Sequence, residues 1–239
     1  MMTNGKVYIH EFINITKQNR ARYMHHITAN WSPIGQRQRH QLCYGVWGVV
    51  GSTGEWPQVV NIWEEDGFAG LAGSFRTELN NTTLQDPALA KWWAAAADLR
   101  AGGLDRLLVP HPDTQPIEAL CTAGVTGEVY AHEIVTVPPG SNHEFLDKTL
   151  VEAEKIQARH GWRLTGAWWT ALRNDDECVL LWTIPTWEAW AQLEQDPNTL
   201  FSDRAMILDR RRILLVDAPL SPLRTGRQPS IADRTDWVD

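Results

Sequence analysis

Features that would indicate a membrane-spanning or secreted protein are missing from this sequence. No apolar run approaches the roughly 20 residues that a membrane-spanning helix requires. The first residues contain no apolar segment typical of a signal peptide, so we expect none. The chain has only 3 cysteines and no Cys-x-x-Cys pair, which is typical of buried thiols in a reducing compartment. We therefore predict a cytoplasmic protein without a membrane span.

Motifs that specify a reaction or a cofactor are absent as well. There is no Gly-x-Ser-x-Gly motif, and no glycine-rich phosphate loop follows a predicted strand. A His-Glu pair occurs three times, at 10–11, 132–133 and 143–144, but never with the second histidine of a His-Glu-x-x-His zinc motif. We therefore predict no metal and no cofactor. A haem protein is kept as a further alternative, since a haem needs an axial histidine in an apolar pocket and tryptophan-rich walls are compatible with one.

Positive charge is not in excess. The formal net charge is −7 and the calculated pI is about 5.6. An acidic surface is poorly suited to nucleic acid or to anionic lipid, so we expect no nucleic-acid partner. Hydrophobic residues make up 43% of the chain and include 13 tryptophans. This composition predicts a large aromatic core and favours packing between subunits, so we expect a homodimer.

A six-residue pattern occurs twice. Residues 7–12 read VYIHEF and residues 129–134 read VYAHEI, with Tyr, His and Glu at matching positions. Both segments are rich in β-branched and aromatic residues and are predicted strands. The surrounding patterns repeat the order strand, helix, strand, strand, helix, strand. We therefore predict an α+β fold of two tandem ferredoxin-like βαββαβ repeats that form an assembly of the dimeric α/β-barrel type.

The pattern also sets the predicted boundaries. The first repeat covers residues 1–110 and the second covers residues 125–220. Residues 111–124 contain prolines without clear periodicity and are a predicted linker. Residues 221–239 are polar and are a predicted extended tail, either loose or lying across a partner subunit.

Individual residues predict where helices begin and end. Asp86 and Thr186 are predicted N-caps, and Gly161 is predicted to end a long helix. The Gly-Gly pair at 102–103 is predicted to stop a helix, and residues 35–41 before the second strand are a predicted polar loop.

Most of the chain, residues 6–223, resembles the NIPSNAP-like family of dimeric α/β-barrel proteins. The resemblance is carried by HEF at 10–12 and HEI at 132–134, and by the segments DPALAKWWAAAADLRAGGLDRLLVP, WEAWAQLEQDPN and ILLVDAPLSPL. This family often has arginine where the chain has His10 and His132. The wider superfamily implies, by resemblance, cofactor-independent oxygenases, cyclases and isomerases on polyketide-like or aromatic substrates, haem enzymes, and non-catalytic proteins.

The two histidines are the predicted catalytic residues. Side chains alternate along a strand, so Tyr8 and His10 share one face, and Tyr130 and His132 share the matching face. The aliphatic face is expected under the helices and the aromatic face inside the barrel. His132 is the predicted acid or base, with His10 as its pseudo-symmetric counterpart and Tyr130 and Tyr8 orienting the rings or a substrate oxygen. We expect one copy to be active and the other packed. Two other interpretations stay open, namely a pair of satisfied core histidines and a metal site.

Four further residues are predicted to bind substrate. Trp47 and Trp168 occupy matching strand positions, Trp169 occurs only in the second copy, and His40 precedes a strand where it could close a cavity mouth. The matching tryptophans are also consistent with ordinary core packing. Glu11 and Glu133 fall on the helix-facing side, and the sequence does not show which groups would partner them.

Two functions of different classes follow. The first is an enzyme that uses acid–base chemistry in a barrel cavity for isomerisation, cyclisation or cofactor-independent oxygenation of an apolar or aromatic, polyketide-like small molecule. The second is a non-catalytic ligand-binding or assembly module. A concave apolar cavity between the sheets would favour the enzyme, and an interior filled by tryptophans would favour the module.

Overall fold

Eight antiparallel strands close into a barrel with helices on its outer surface. The computed structural model describes residues 4–196 and 204–235. The order around the ring is β1-β3-β2-β8-β5-β7-β6-β4. The strands are β1 (Val7–Ile15), β2 (Leu42–Val49), β3 (Gln58–Glu65), β4 (Arg100–Pro110), β5 (Val129–Thr136), β6 (Arg163–Thr170), β7 (Glu177–Ile184) and β8 (Asp209–Asp217).

The helices cover the outside of the barrel and one of its ends. They are α1 (Arg20–His25), α2 (Ser32–Arg39), α3 (Gly67–Leu79), α4 (Ala90–Ala97), α5 (Ile117–Thr122), α6 (Asn142–His160), α7 (Trp187–Gln195) and α8 (Pro222–Thr225). A π-helical turn, His26–Trp31, joins α1 to α2. Among the described helices, none is both long and apolar enough to cross a bilayer.

The ring consists of two groups of four strands joined by short ladders. Strands β4-β1-β3-β2 form one group and β8-β5-β7-β6 the other. Residues 47–49 of β2 pair with residues 215–217 of β8, and residues 108–110 of β4 pair with residues 168–170 of β6. Strands β1 and β5 are four positions apart in a ring of eight, so they lie on opposite walls.

The predicted division of strand faces is confirmed. Tyr8, Phe12 and Tyr130 belong to the cluster inside the barrel. Ile13 lies in the cluster beneath the helices of the first group, and Val135 in the corresponding cluster of the second. The aromatic face of each repeated strand therefore points inward and the aliphatic face points toward the helices.

One end of the barrel is closed by the segment between the groups and by the C-terminal segment. The predicted linker 111–124 is not irregular throughout, because it contains α5, whose Ile117 and Leu120 are buried in the interior cluster. The predicted tail contains α8, whose Leu223 joins the same cluster. We call this the plugged end. It lies where β1 and β5 begin. At the opposite end, where they finish, the inward-facing positions Asn14, Leu104 and Arg211 are exposed, and we call this the open end.

The tail lies on its own chain. The Gln228 side chain hydrogen-bonds both the N–H and the carbonyl of Cys43, at 2.9 and 2.8 Å. The Gln36 amide donates to the Pro229 carbonyl at 2.6 Å. The expectation of a loose tail is therefore corrected for residues 221–235, and contact with a partner subunit stays a prediction. Residues 236–239 lie outside the described part.

The predicted helix caps at Asp86, Thr186 and Gly161 are confirmed. Asp86 accepts a hydrogen bond from the Ala88 N–H, and Thr186 accepts one from the Ala189 N–H. Gly161 ends α6 in the left-handed conformation. Two local predictions are wrong. The Gly-Gly pair at 102–103 lies within β4 because α4 has already ended at Ala97, and residues 35–39 are helical because α2 continues after the π-helical turn.

A glycine beneath a tryptophan occurs once in each group of strands. Both glycines, Gly45 in β2 and Gly166 in β6, follow a register shift in the ladder. A Cβ at Gly45 would lie 2.0 Å from Cη2 of Trp47, and one at Gly166 would lie 1.7 Å from Cη2 of Trp168. Only glycine lets these two indole rings fold back over their own strands into the interior.

We predict that Gly166→Ala lowers the free energy of unfolding by about 1–3 kcal/mol, because the Trp168 ring has to leave its position in a packed interior. Urea unfolding measures the change. The matched control is Gly73→Ala in α3, where a Cβ would meet nothing within 4 Å. That variant should gain about 0.5–1 kcal/mol from helix propensity. Equal stability of Gly166→Ala and wild type would contradict the packing described here.

Candidate functional site

The two repeated histidines meet inside the barrel. The Nε2 atoms of His10 and His132 are 2.9 Å apart, and their ring planes differ by 7°. His10 is completely buried and His132 is 1% exposed. Because β1 and β5 form opposite walls, this hydrogen bond crosses the barrel axis. The two copies therefore bring their histidines to one place, and the expectation that only one copy is active stays a prediction.

Phe12 covers the pair on the side of the open end. Its ring lies edge-on to both imidazoles, at centroid distances of 4.9 Å from His10 and 5.4 Å from His132. The side chain is 7% exposed. It is therefore the last apolar ring of β1 between the histidine pair and the open end.

Both imidazoles are held in the neutral form. Burial lowers the pKa of His10 well below its usual value of 6.5, and the neighbouring His132 and Arg106 lower it further. Burial and Arg106 also lower the pKa of His132, against an opposing effect of Glu133. Two neutral rings can share one hydrogen bond only if one Nε2 carries the proton and the other accepts it.

The local hydrogen bonds favour one assignment of that proton. A buried N–H is costlier to leave unpaired than a lone pair, so the shared proton is assigned to the ring whose other nitrogen has no hydrogen-bond partner. His10 Nε2–H then donates across the axis, and His10 Nδ1, which is buried without a hydrogen-bond partner among the described residues, keeps a free lone pair.

The neighbouring glutamates face outward and differ in environment. Glu133 accepts two hydrogen bonds from Arg210, at 2.9 and 2.8 Å, and one from Arg212 at 2.8 Å. Burial raises its pKa, but Arg212 and Arg210 more than compensate, so the pKa of Glu133 is lowered overall. This carboxylate therefore carries a negative charge next to His132.

Glu11 has only neutral donors. It accepts hydrogen bonds from the Asn61 amide at 3.0 Å and from the Trp63 indole at 2.8 Å. Burial and the nearby Asp105 raise its pKa. These contacts supply the partners that the sequence did not reveal.

An arginine lies beside Phe12 at the open end. Arg106 of β4 is directly opposite His10 in the ladder. Its Nε donates to Oε1 of Glu177 at 3.0 Å, and the Thr170 hydroxyl donates to the same oxygen at 2.8 Å. The guanidinium carbon is 5.8 Å from the centre of the Phe12 ring. The open end therefore combines an aromatic ring with a cation close to the buried pair.

The predicted tyrosines and two of the predicted tryptophans lie toward the plugged end. Tyr8 donates to Glu64 at 3.1 Å and packs 5.5 Å from the Trp168 ring. Tyr130 packs 5.7 Å from the Trp47 ring. Burial raises the pKa of both tyrosines. These four side chains are completely buried and fill the interior between the pair and the plug.

The two remaining predicted substrate-binding residues are elsewhere. Trp169 points away from the interior, packs against the outer cluster of the second group and lies 4.4 Å from the His143 ring. His40 is exposed and ends α2 with a left-handed φ of 54°. The structure therefore does not bring either residue to the histidine pair.

Three surface cavities of about 510, 490 and 580 Å³ lie outside the barrel, and neither histidine lines any of them. The largest of the three is lined by both His25 and His26.

The histidine pair does not fit an axial haem ligand. Each Nε2 is already bonded to the other ring, and Phe12 occupies the space beside both. Within the described residues, no group of three or more His, Cys, Asp or Glu side chains is arranged to hold a metal ion.

Sequence reasoning missed Arg106, Glu177 and Thr170. Arg106 is two residues before Leu108 in β4, and Leu108 belongs to the interior cluster. Side chains two positions apart share a strand face, so Arg106 could have been recognised as inward-facing once Leu108 was placed in the interior. Its pairing with His10 depends on the register of β1 with β4, which no local pattern shows.

Comparison with known proteins identifies the fold. No protein-family profile and no curated protein matches the sequence. Three solved structures share the dimeric α/β-barrel fold at 11% identity.

The first, from Lactobacillus acidophilus NCFM and provisionally described as a monooxygenase, has a TM-score of 0.57 and matches 95% of this chain and 97% of its own. The second, an anthrone oxidase-like protein, has a TM-score of 0.58 and coverages of 90% and 92%. The third, provisionally described as a chlorite dismutase, has a TM-score of 0.52 and coverages of 92% and 96%.

We predict that both histidines stay neutral in the folded protein at pH 5. The unfolded chain takes up protons below about pH 6.5, but the folded pair does not, so stability falls as the pH falls from 6.5 toward 3. Each neutral histidine should contribute about 2 kcal/mol to this loss between pH 6.5 and 5.

Urea unfolding of wild type and of His10→Gln/His132→Gln across this range measures the difference. Glu65 and Asp217, whose pKa values burial raises to about 7, titrate in both proteins and cancel in the comparison. Ring ¹⁵N chemical shifts give a direct reading. Folded-state titration of either ring near pH 6.5 would refute the neutral pair.

Proposed function

We propose that the protein is an oxidase- or monooxygenase-type enzyme that needs no cofactor and acts on an aromatic small molecule at the open end of the barrel. The observation that carries this proposal is the neutral His10–His132 pair, which is separated from the open end by the single ring of Phe12. A base in a site without water can remove a proton from a weakly acidic substrate. The names of the similar structures support this choice without deciding it.

The pair would act as a proton relay, in which His10 takes a proton from the substrate and passes its own proton to His132. The Phe12 ring first has to turn aside so that the substrate reaches the pair. A CH₂ group flanked by aromatic rings and conjugated with a carbonyl then loses a proton to Nδ1 of His10, and Nε2–H of His10 passes to Nε2 of His132. The carbanion transfers one electron to O₂, and the two radicals combine to a peroxide. The peroxide recovers the proton and loses water to give a ketone. The net reaction, CH₂ + O₂ → C=O + H₂O, balances without another reductant.

Several finer assignments belong to the same proposal. The substrate would be polyketide-like, because two aromatic rings are needed to acidify the CH₂ group. Isomerisation or cyclisation would use the same relay without O₂. The two groups of strands would be tandem ferredoxin-like repeats at residues 1–110 and 125–220, as in the NIPSNAP-like family. The chain would form a cytoplasmic homodimer, and sedimentation of a 27.1 kDa monomer at high concentration would refute the dimer.

A non-catalytic module is the second candidate, and one observation favours it. Trp47, Trp168, Tyr8 and Tyr130 fill the interior on the plugged side of the histidine pair. On this alternative the His10–His132 bond only joins the two walls, and the barrel serves as a stable scaffold for binding or assembly.

We predict that the wild-type protein accelerates O₂ uptake with 1,8-dihydroxyanthrone, an aromatic ketone with an acidic CH₂ group. Each of His10→Ala and His132→Ala should lower the rate by about 100-fold or more, the usual size of a general acid–base contribution. An oxygen electrode measures the rate, and circular dichroism checks that each variant folds.

His40→Asn is the matched control, because His40 is exposed at the end of α2 and asparagine tolerates the left-handed conformation there. It should keep the wild-type rate. Substrate conversion without O₂ uptake in an anaerobic sample would indicate isomerisation or cyclisation. If folded His10→Ala and His132→Ala both stay within about threefold of wild type, the relay is wrong. No uptake by wild type would favour the module.

A further inference from the structure

Arg106 has more hydrogen-bonding capacity than its surroundings use. Its side chain is 13% exposed. Nε is bonded to Glu177, whereas Nη1 is buried without a hydrogen-bond partner among residues 4–196 and 204–235. A buried donor of a charged group is costly to leave unpaired. The geometry therefore leaves one guanidinium donor available beside the Phe12 ring.

Glu177, the carboxylate bonded to Arg106, is already shared with other donors. Glu177 accepts from Arg106 and from Thr170 at Oε1, and its Oε2 lies 3.5 Å from Nη1 of Arg173. Arg211 follows on the inner face of β8, is exposed, and contributes with Arg106 to the lowered pKa of His132. Arg173 is also paired with Asp176 at 3.4 Å, so Arg106 and Arg211 are the two cations at this end that act on the histidine pair.

We propose that the open end binds an aromatic ligand through an anionic oxygen, either a carboxylate or a phenolate. Nη1 of Arg106 donates to this oxygen, and the ligand ring packs against Phe12. This inference rests on the proposed function, because it names the class of substrate for the same site. Guanidinium groups suit such oxyanions because their hydrogen bonds are charge-assisted and directional.

Binding would also change the histidine pair. The charge of Arg106 is one of the effects that keep both imidazoles neutral. An anion on Nη1 offsets that charge, so the pair becomes a stronger proton acceptor only when the ligand is present. The free protein, in contrast, keeps a weak base that stays unprotonated near neutral pH. The bound ligand would therefore raise the basicity of the histidine pair, which has to remove a proton from that same ligand.

The experiment compares three naphthalene probes by isothermal titration calorimetry, using the full chain. 2-Naphthoate at pH 7 supplies a carboxylate, 2-naphthol at pH 10 supplies a phenolate, and 2-naphthamide supplies the same ring without charge. We expect at least one anionic probe to bind about 10- to 100-fold more tightly than the amide, the range given by one hydrogen bond to a charged group. The anion that binds identifies the oxygen.

Arg106→Gln should remove this preference while leaving the weak binding of 2-naphthamide unchanged. Arg106→Lys keeps the charge but cannot reproduce the forked donors, so it should lose most of the preference too. Arg159→Gln, on the exposed face of α6, is the control and should bind like wild type. Binding of the preferred anion should also shift the ring ¹⁵N signals of wild type toward the protonated form.

Equal affinity of wild type for the anionic and neutral probes overturns the inference, and so does the absence of binding. The same holds for a folded Arg106→Gln that keeps the preference. The wild-type comparison tests the inference even if neither Arg106 variant folds. Unchanged O₂ uptake by Arg106→Gln together with equal probe affinities would reject this inference and leave the proposed function standing. Selective anion binding without any O₂ uptake would support the binding site and reject the oxidase proposal.

Discussion

The hydrogen bond between His10 and His132 is the one polar contact that reaches across the barrel axis between the two repeated strands. This bond determines which side chains can pack above and below the two imidazole rings. Because β1 and β5 are opposite walls, the bond fixes the width of the interior at mid-height, and the rings above and below have to match that width. Phe12 packs edge-on against both imidazoles on one side, while two tryptophan–tyrosine pairs fill the other. Charging either ring would place a cation in this apolar layer, which explains why burial is the largest effect on both pKa values.

The two ends of the barrel differ because the segments outside the repeated strands are used on one side only. The helices α5 and α8 bring Ile117, Leu120 and Leu223 into the interior cluster at the plugged end. Glu64 helps to fix this plug, since its Oε2 accepts hydrogen bonds both from the Tyr8 hydroxyl and from the Ile117 N–H. The open end has an arginine, a carboxylate and a threonine instead. The two ends of the barrel therefore present different groups.

The sequence predicted the parts of the fold that depend on short-range patterns. Alternation along VYIHEF and VYAHEI gave the inward and outward faces, and Asp86, Thr186 and Gly161 gave three helix ends. It failed where a longer-range contact overrides a local signal. Residues 111–124 look irregular alone, yet Ile117 and Leu120 become helical on a surface that the barrel end provides. The glycines at 102–103 look like a helix stop, yet Gly103 is needed where β1 approaches closely, because a Cβ there would lie 2.0 Å from the Phe12 carbonyl oxygen.

The candidate site shows the same division between local pattern and long-range geometry. Repetition identified both histidines and both tyrosines, but it suggested two equivalent positions of which one would be active. The sequence pattern does not show that β1 and β5 form opposite walls of the barrel. Because they do, their inward side chains His10 and His132 meet at one place.

The open end draws on both groups of strands. Arg106 belongs to β4, in one group of strands, and Glu177 to β7, in the other. Their hydrogen bond therefore joins the two groups near the β4–β6 junction. Arg106 lowers the pKa of both rings, although burial lowers it more. The two rings share one hydrogen-bonded proton, so they titrate as one coupled unit.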